Sequence, residues 1–129
     1  MGLFERIFGA ISKGDPGVRH PDGGFDTPAA AIAEIVRRHR AADDDGWVDL
    51  DASAGGKRVS VQVCGDHLNT LLHELPPGVC ASLGLERVGD ALYRLPDASP
   101  AAAAATIDAL LNVHFELGEG YALSGRLAS

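Results

Sequence analysis

Residues 47–63, WVDLDASAGGKRVSVQV, carry two periods of strict alternation on either side of a glycine pair. Val48 and Leu50 point one way while Asp49 and Asp51 point the other. Val59, Val61 and Val63 repeat the pattern against Arg58, Ser60 and Gln62. A period of two with β-branched residues on one phase is the mark of half-buried strands. The connection SAGGK is short enough to fold the two runs into an antiparallel hairpin with one wet face. This hairpin decides the fold class. Whatever flanks it must cover its valine side.

The flanks supply helices. Upstream, Thr27 can cap a helix that begins with Pro28, and Asp26 adds negative charge at the positive end of the dipole. Ile32, Ile35 and Val36 form its buried stripe. Arg37, Arg38 and Arg40 suit its C-terminal end and are expected to pair with nearby aspartates. Downstream, Ser99 and Pro100 open an Ala-rich helix whose stripe is Ile107, Leu110, Leu111 and His114, closed by Gly118 and Gly120. The run YALSGRLA then reads as a strand with Tyr121, Leu123 and Leu127 on one side. Between these lie a short helical turn in PPGVCASLGL, capped by Gly84, and a hairpin in ERVGDALYRL with Gly89-Asp90 at its tip. Val79, Cys80 and Leu83 are the residues this short turn is expected to bury. The segment HLNTLLHEL is open to two readings. Leu68, Leu71, Leu72 and Leu75 fit a helical face, yet a third strand follows naturally after the Gly65-Asp66 turn. The expected architecture is α+β, a single antiparallel sheet with helices packed on one face.

The organisation divides into three parts: an amphipathic N-terminal helix over 1–13, a Gly/Pro/Asp-rich linker over 14–26, and an α+β domain over 27–129. Leu3, Phe4, Ile7, Phe8 and Ile11 share one face of the first helix. Five large apolar residues in so short a stretch call for a docking surface. Three are open: its own sheet, a partner subunit in a homodimer, or a membrane interface. Docking on protein is preferred, since Glu5 offsets Arg6 and Lys13 and a weakly basic helix anchors poorly.

Length and charge narrow the function. The chain has 129 residues, Asp+Glu 18 against Lys+Arg 11, and a formal net charge of -7. An acidic chain repels phosphate, so nucleic acid is not expected as a partner. No apolar run is long enough to span a bilayer. Cys64 and Cys80, with no signal-peptide pattern at the start, point to reduced thiols in the cytoplasm.

Signatures of chemistry are missing. There is no G-x-S-x-G elbow, and GGK at 55–57 lacks the remainder of a phosphate loop. His20, His39, His67, His73 and His114, with the two cysteines, show no metal-ligand spacing, so no metal or other cofactor is expected. As a strand, 67–74 would put His67 and His73 on one face, still without a third ligand nearby. Asp43, Asp44, Asp45, Asp49 and Asp51 fit no EF-hand register, since a loop from Asp49 would place Ala54 sixth and Ser60 twelfth. They read as a solvated acidic edge, and no catalytic residue is assigned.

A resemblance sharpens these expectations. The opening helix followed by Trp47-Val48-Asp49-Leu50, the Val59–Val63 strand with Gly65-Asp66 after it, Ser82-Leu83-Gly84-Leu85, the Leu92–Leu95 strand and the Ala-rich closing helix together resemble the YbjN-like, type III secretion chaperone-like family, including the small TY-Chap domains. The likeness spans residues 27–128, with Leu85 standing where the family has an aromatic. It implies a strand at 67–74 and a small, often dimeric, α+β protein that binds extended segments of other proteins without catalysis. With apolar residues expected on both faces of the later strands, the partner-binding residues would be Trp47, Leu71, His73, Tyr93 and Leu123. The competing expectation is a peripheral membrane or assembly adaptor working through the Leu3–Ile11 helix.

Overall fold

The computed structural model describes residues 17–42, 46–71 and 73–128. The expected N-terminal helix, with Leu3, Phe4, Ile7, Phe8 and Ile11, lies outside them. So do Asp43, Asp44, Asp45 and Leu72. In chain order the elements are β1 (Val18–His20), α1 (Pro28–Ala41), β2 (Trp47–Ala54), β3 (Lys57–Cys64), β4 (His67–Asn69), α2 (Pro77–Leu83), β5 (Glu86–Gly89), β6 (Leu92–Arg94), α3 (Pro100–Ala109) and β7 (Ala122–Ala128). The strands form one antiparallel sheet in the order β1-β7-β2-β3-β4-β6-β5.

The β2–β3 hairpin is the centre of this sheet. Val48 pairs with Val63, Leu50 with Val61 and Ala52 with Val59. All six are buried, on the phase that meets the helices. Leu68 on β4, Tyr93 on β6 and Leu123 on β7 continue the same layer, and Ile32, Ile35, Val36, Ile107, Leu110 and Leu111 close it from α1 and α3. Removing each such side chain from water contributes about 1.5–3 kcal/mol, which is why these periodic positions and not the intervening ones determine the packing.

The helix ends follow local rules. Thr27 Oγ1 accepts from the Ala30 N–H at 3.1 Å, and Pro28 occupies the first turn of α1. α2 stops at Gly84, whose φ of 72° is accessible without strain only to glycine. Ser99 has the extended backbone of a cap on α3 but makes no side-chain capping bond. α3 then widens into a π-helical turn over Leu110–His114, where the Phe115 N–H donates to Leu110 O at 3.0 Å. That turn ends the helix before Gly118 and Gly120 are reached.

Several expectations are corrected. The stretch 14–26 is not wholly a linker: Val18–His20 forms edge strand β1 against β7, and Val18 is buried. A single core side chain and backbone pairing to a distant strand leave little trace in a Gly/Pro-rich composition. The strand at 67–74 is real only over His67–Asn69. Asn69 Oδ1 accepts from the Leu71 N–H at 2.7 Å, and Leu71 takes a φ of 61°, so the chain turns instead of continuing. His73 therefore does not share a strand face with His67. Arg37 and Arg38 pair with Glu34 of their own helix at 2.5 and 2.8 Å, and Arg40 donates to the Gly65 carbonyl, where aspartates are the expected partners. Val79, Cys80 and Leu83 are half-buried against the core, not fully enclosed.

Candidate functional site

The open face of the sheet is polar around β2 and β3. Ser60 Oγ donates to Asp51 Oδ1 at 2.5 Å, Gln62 Nε2 donates to Asp49 Oδ1 at 2.7 Å, and Arg126 stands 3.9 Å from Asp49. Cross-strand pairs of this kind satisfy one another and make this part of the face polar. Asp49 and Asp51 thus belong to a paired, half-buried polar ladder. Toward the far edge Arg94 reaches Glu86 at 2.9 Å and Asp66 at 3.6 Å, and Asp66 also meets His67 at 2.9 Å.

The five expected partner-binding residues do not converge. Tyr93 and Leu123 are 0% and 3% exposed under the helices, since the alternation of β6 and β7 turns them to the core side. Trp47 is half-buried at the start of β2, on the open face. Leu71 and His73 lie beyond β4, both exposed. The reason is one of parity: Tyr93 and Leu123 share the phase of Val61, whereas Trp47 shares that of Asp49.

His73, however, leads to a different surface. Its ring meets Phe115 edge to face with centroids 5.1 Å apart, and Phe115 meets His114 in the same manner at 4.9 Å. His114 lines a groove of about 520 Å3 between α2 and the end of α3, walled by Val79, Ser82 and Leu83 on one side and Ala109, Val113 and Glu116 on the other. Val79 and Leu83 stand one turn apart on α2, so both face the groove. Across from them the π-helical turn carries Val113 off the core stripe of α3, leaving it 72% exposed. Such turns interrupt helical periodicity and often mark working surfaces. Lys57 Nζ donates to Phe115 O at 2.8 Å and fixes the top of this helix to the β2–β3 end of the sheet.

Sequence reasoning passed over Val79, Leu83 and Val113 as a surface. A signal was present: Val113 falls outside the stripe of Ile107, Leu110, Leu111 and His114, and an apolar residue off the buried face of a helix wants a second neighbour.

A second cleft, about 480 Å3, opens where β1 meets the start of α1 and is lined by His20, Asp26, Asp108, Asn112 and Glu119 among others. Of these, Asp108 accepts at Oδ1 from the buried Tyr121 hydroxyl at 2.8 Å. Burial first, and then this bond to a carboxylate, push the Tyr121 hydroxyl well above the ordinary tyrosine range. Tyr121 is therefore a neutral donor that holds Asp108. No group of three or more His, Cys, Asp or Glu among the described residues is placed to hold a metal ion. Both cysteines are free thiols. No helix among the described residues is long and apolar enough to cross a membrane. No protein-family model, curated protein or solved structure matches this chain.

Proposed function

We propose that this chain is a non-enzymatic module that binds an apolar, helical segment of a partner protein, where its resemblance to the type III secretion chaperone-like and YbjN-like proteins implies an extended one. The reading rests on the groove between α2 and α3, and above all on Val113, a large aliphatic side chain 72% exposed opposite Val79 and Leu83. A groove between two helices with apolar walls and a sparse polar rim is suited to a segment carrying apolar side chains at turn spacing. His114, Ser82 and Glu116 offer hydrogen-bonding groups at that rim. The binding surface is thus the helical side of the molecule, because the open sheet face is polar around β2 and β3. On this reading the protein works in the cytoplasm, as a homodimer, without a cofactor.

The test is a fluorescein-labelled twelve-residue peptide, with leucines at i, i+3, i+4 and i+7 in an alanine/lysine background, titrated with the full chain. Fluorescence anisotropy should saturate. Val113→Asp should weaken binding at least tenfold, whereas Trp47→Ala should not. Thermal unfolding of Val113→Asp should match the parent, since its side chain is exposed. The proposal is withdrawn if anisotropy does not saturate or if Val113→Asp binds as the parent does.

A further inference from the structure

Two cations on the open face of the sheet stand apart from the rest. Every other described arginine and lysine is paired with a carboxylate or donates to a backbone carbonyl. Arg19 and Arg58 make no hydrogen bond or ion pair with any described residue. Both line one trough of about 460 Å3.

Strand register explains the trough. Arg19 on β1 pairs with Ser124 on β7, Ser124 with Asp51 on β2, and Asp51 with Ser60 on β3, so these four side chains form one row on the open face. The adjoining row runs through Ala122, Ser53 and Arg58. The small side chains of Ala122, Ser124 and Ser53 make a low floor, and Arg19 and Arg58 stand at opposite corners of it. Three strand spacings separate them across the sheet, about 14 Å between backbones. Neither serine hydroxyl of the floor has a described partner.

The same small residues keep opposite charges apart. Ser124 lies between Arg19 and Asp51, and Arg58 is the diagonal neighbour of Asp51, with Ser60 facing it. Asp51 accepts from Ser60 at Oδ1, and its Oδ2 has no described partner. Asp22 lines the trough at its exposed end and brings its formal charge to zero. Net charge therefore selects neither a plain anion nor a plain cation. A ligand carrying both signs meets groups that do not meet one another.

We infer that this trough binds a free amino dicarboxylic acid. Its two carboxylates go to Arg19 and Arg58, whose guanidinium forks match a carboxylate in two parallel bonds, and its ammonium goes to Asp51 Oδ2. Ser53 and Ser124 donate hydroxyls to the carboxylates from below. Asp22 is exposed, so solvent screens its repulsion of the bound acid. The site lies on the face opposite the α2–α3 groove and does not depend on the groove reading.

The experiment titrates the 15N-labelled full chain with glutamate. The amide peaks of Ser53, Ala122 and Ser124 should move and saturate, with a Kd of about 1 mM or tighter. Arg19→Gln, Arg58→Gln and Asp51→Asn should each raise that Kd at least tenfold. All three keep the fold, since the arginines are exposed and an asparagine amide oxygen still accepts from Ser60, and circular dichroism should match the parent. Glutarate, which lacks the ammonium, and 4-aminobutyrate, which lacks one carboxylate, should each bind at least tenfold more weakly than glutamate. Absence of saturation by about 20 mM glutamate overturns the inference. So does glutarate binding as tightly as glutamate, or parent-like affinity in any of the three variants. The leucine-bearing peptide should bind the variants as it binds the parent, so failure here and failure of the groove are read separately.

Discussion

The hydroxyl of Tyr93, on β6, accepts a hydrogen bond from the Leu75 N–H at 2.7 Å. Around this bond the segment after β4 is tied down. Thr70 is fully buried; its N–H donates to Ala91 O at 2.8 Å, and its hydroxyl donates to the His73 carbonyl. Glu74 accepts from the Ala91 N–H and from Arg87 Nε. These bonds hold the segment that carries His73, whose ring meets Phe115 edge to face. Tyr93 itself is fully buried and ties that segment down.

Tyr93→Phe should therefore destabilise the fold by about 1–3 kcal/mol, because a buried backbone N–H at Leu75 loses its acceptor while the ring still fills the core. In urea unfolding the midpoint should fall with an unchanged slope. An unmoved midpoint would show that Leu75 finds another acceptor.

Acid should weaken α1. Hydrogen bonds from Arg37 and then Arg38 hold the Glu34 carboxyl down at about 2. A carboxylate whose pKa is lowered on folding contributes stability that is present above its ordinary value, near 4.5, and lost as pH falls through about 2. The pair is on the surface and screened, so Glu34→Gln should cost only about 0.5 kcal/mol at pH 7. The gap between variant and parent should close as pH is lowered from 4.5 to 2. A constant gap across urea unfolding series at pH 7, 4 and 2.5 would contradict this origin.

Alkali should act through Tyr121. Its hydroxyl is raised by burial and by Asp108, so the neutral form is favoured in the fold. Its contribution is intact below the ordinary tyrosine value of about 10, and is lost as pH rises from there through the higher folded value. In the parent minus Tyr121→Phe difference spectrum at 295 nm, tyrosinate absorbance should stay low at pH 10–11 and rise only with unfolding followed by circular dichroism. Titration near 10 with the fold intact would refute the assignment.

What could be read in the sequence was whatever depends on near neighbours. Thr27 and Pro28 announced α1, Ile32, Ile35 and Val36 announced its buried side, and the alternation from Trp47 to Val63 announced the central hairpin. Gly84 closed the short helix where its backbone freedom was needed. Each of these follows from a cap, a turn or a period contained within a dozen residues.

Tertiary structure alone decided the rest, because each outcome depends on residues far apart in the chain. Val18 joined the sheet through backbone bonds to Gly125, which composition does not record. Alternation showed that Tyr93 and Leu92 face opposite ways, but the placement of α1 and α3 determined which side became core. The groove exists because a π-helical turn at the end of α3 comes to rest beside α2, with Val113 turned toward Val79 and Leu83. Local pattern determines which side chains avoid water; only packing determines which of them still meet it.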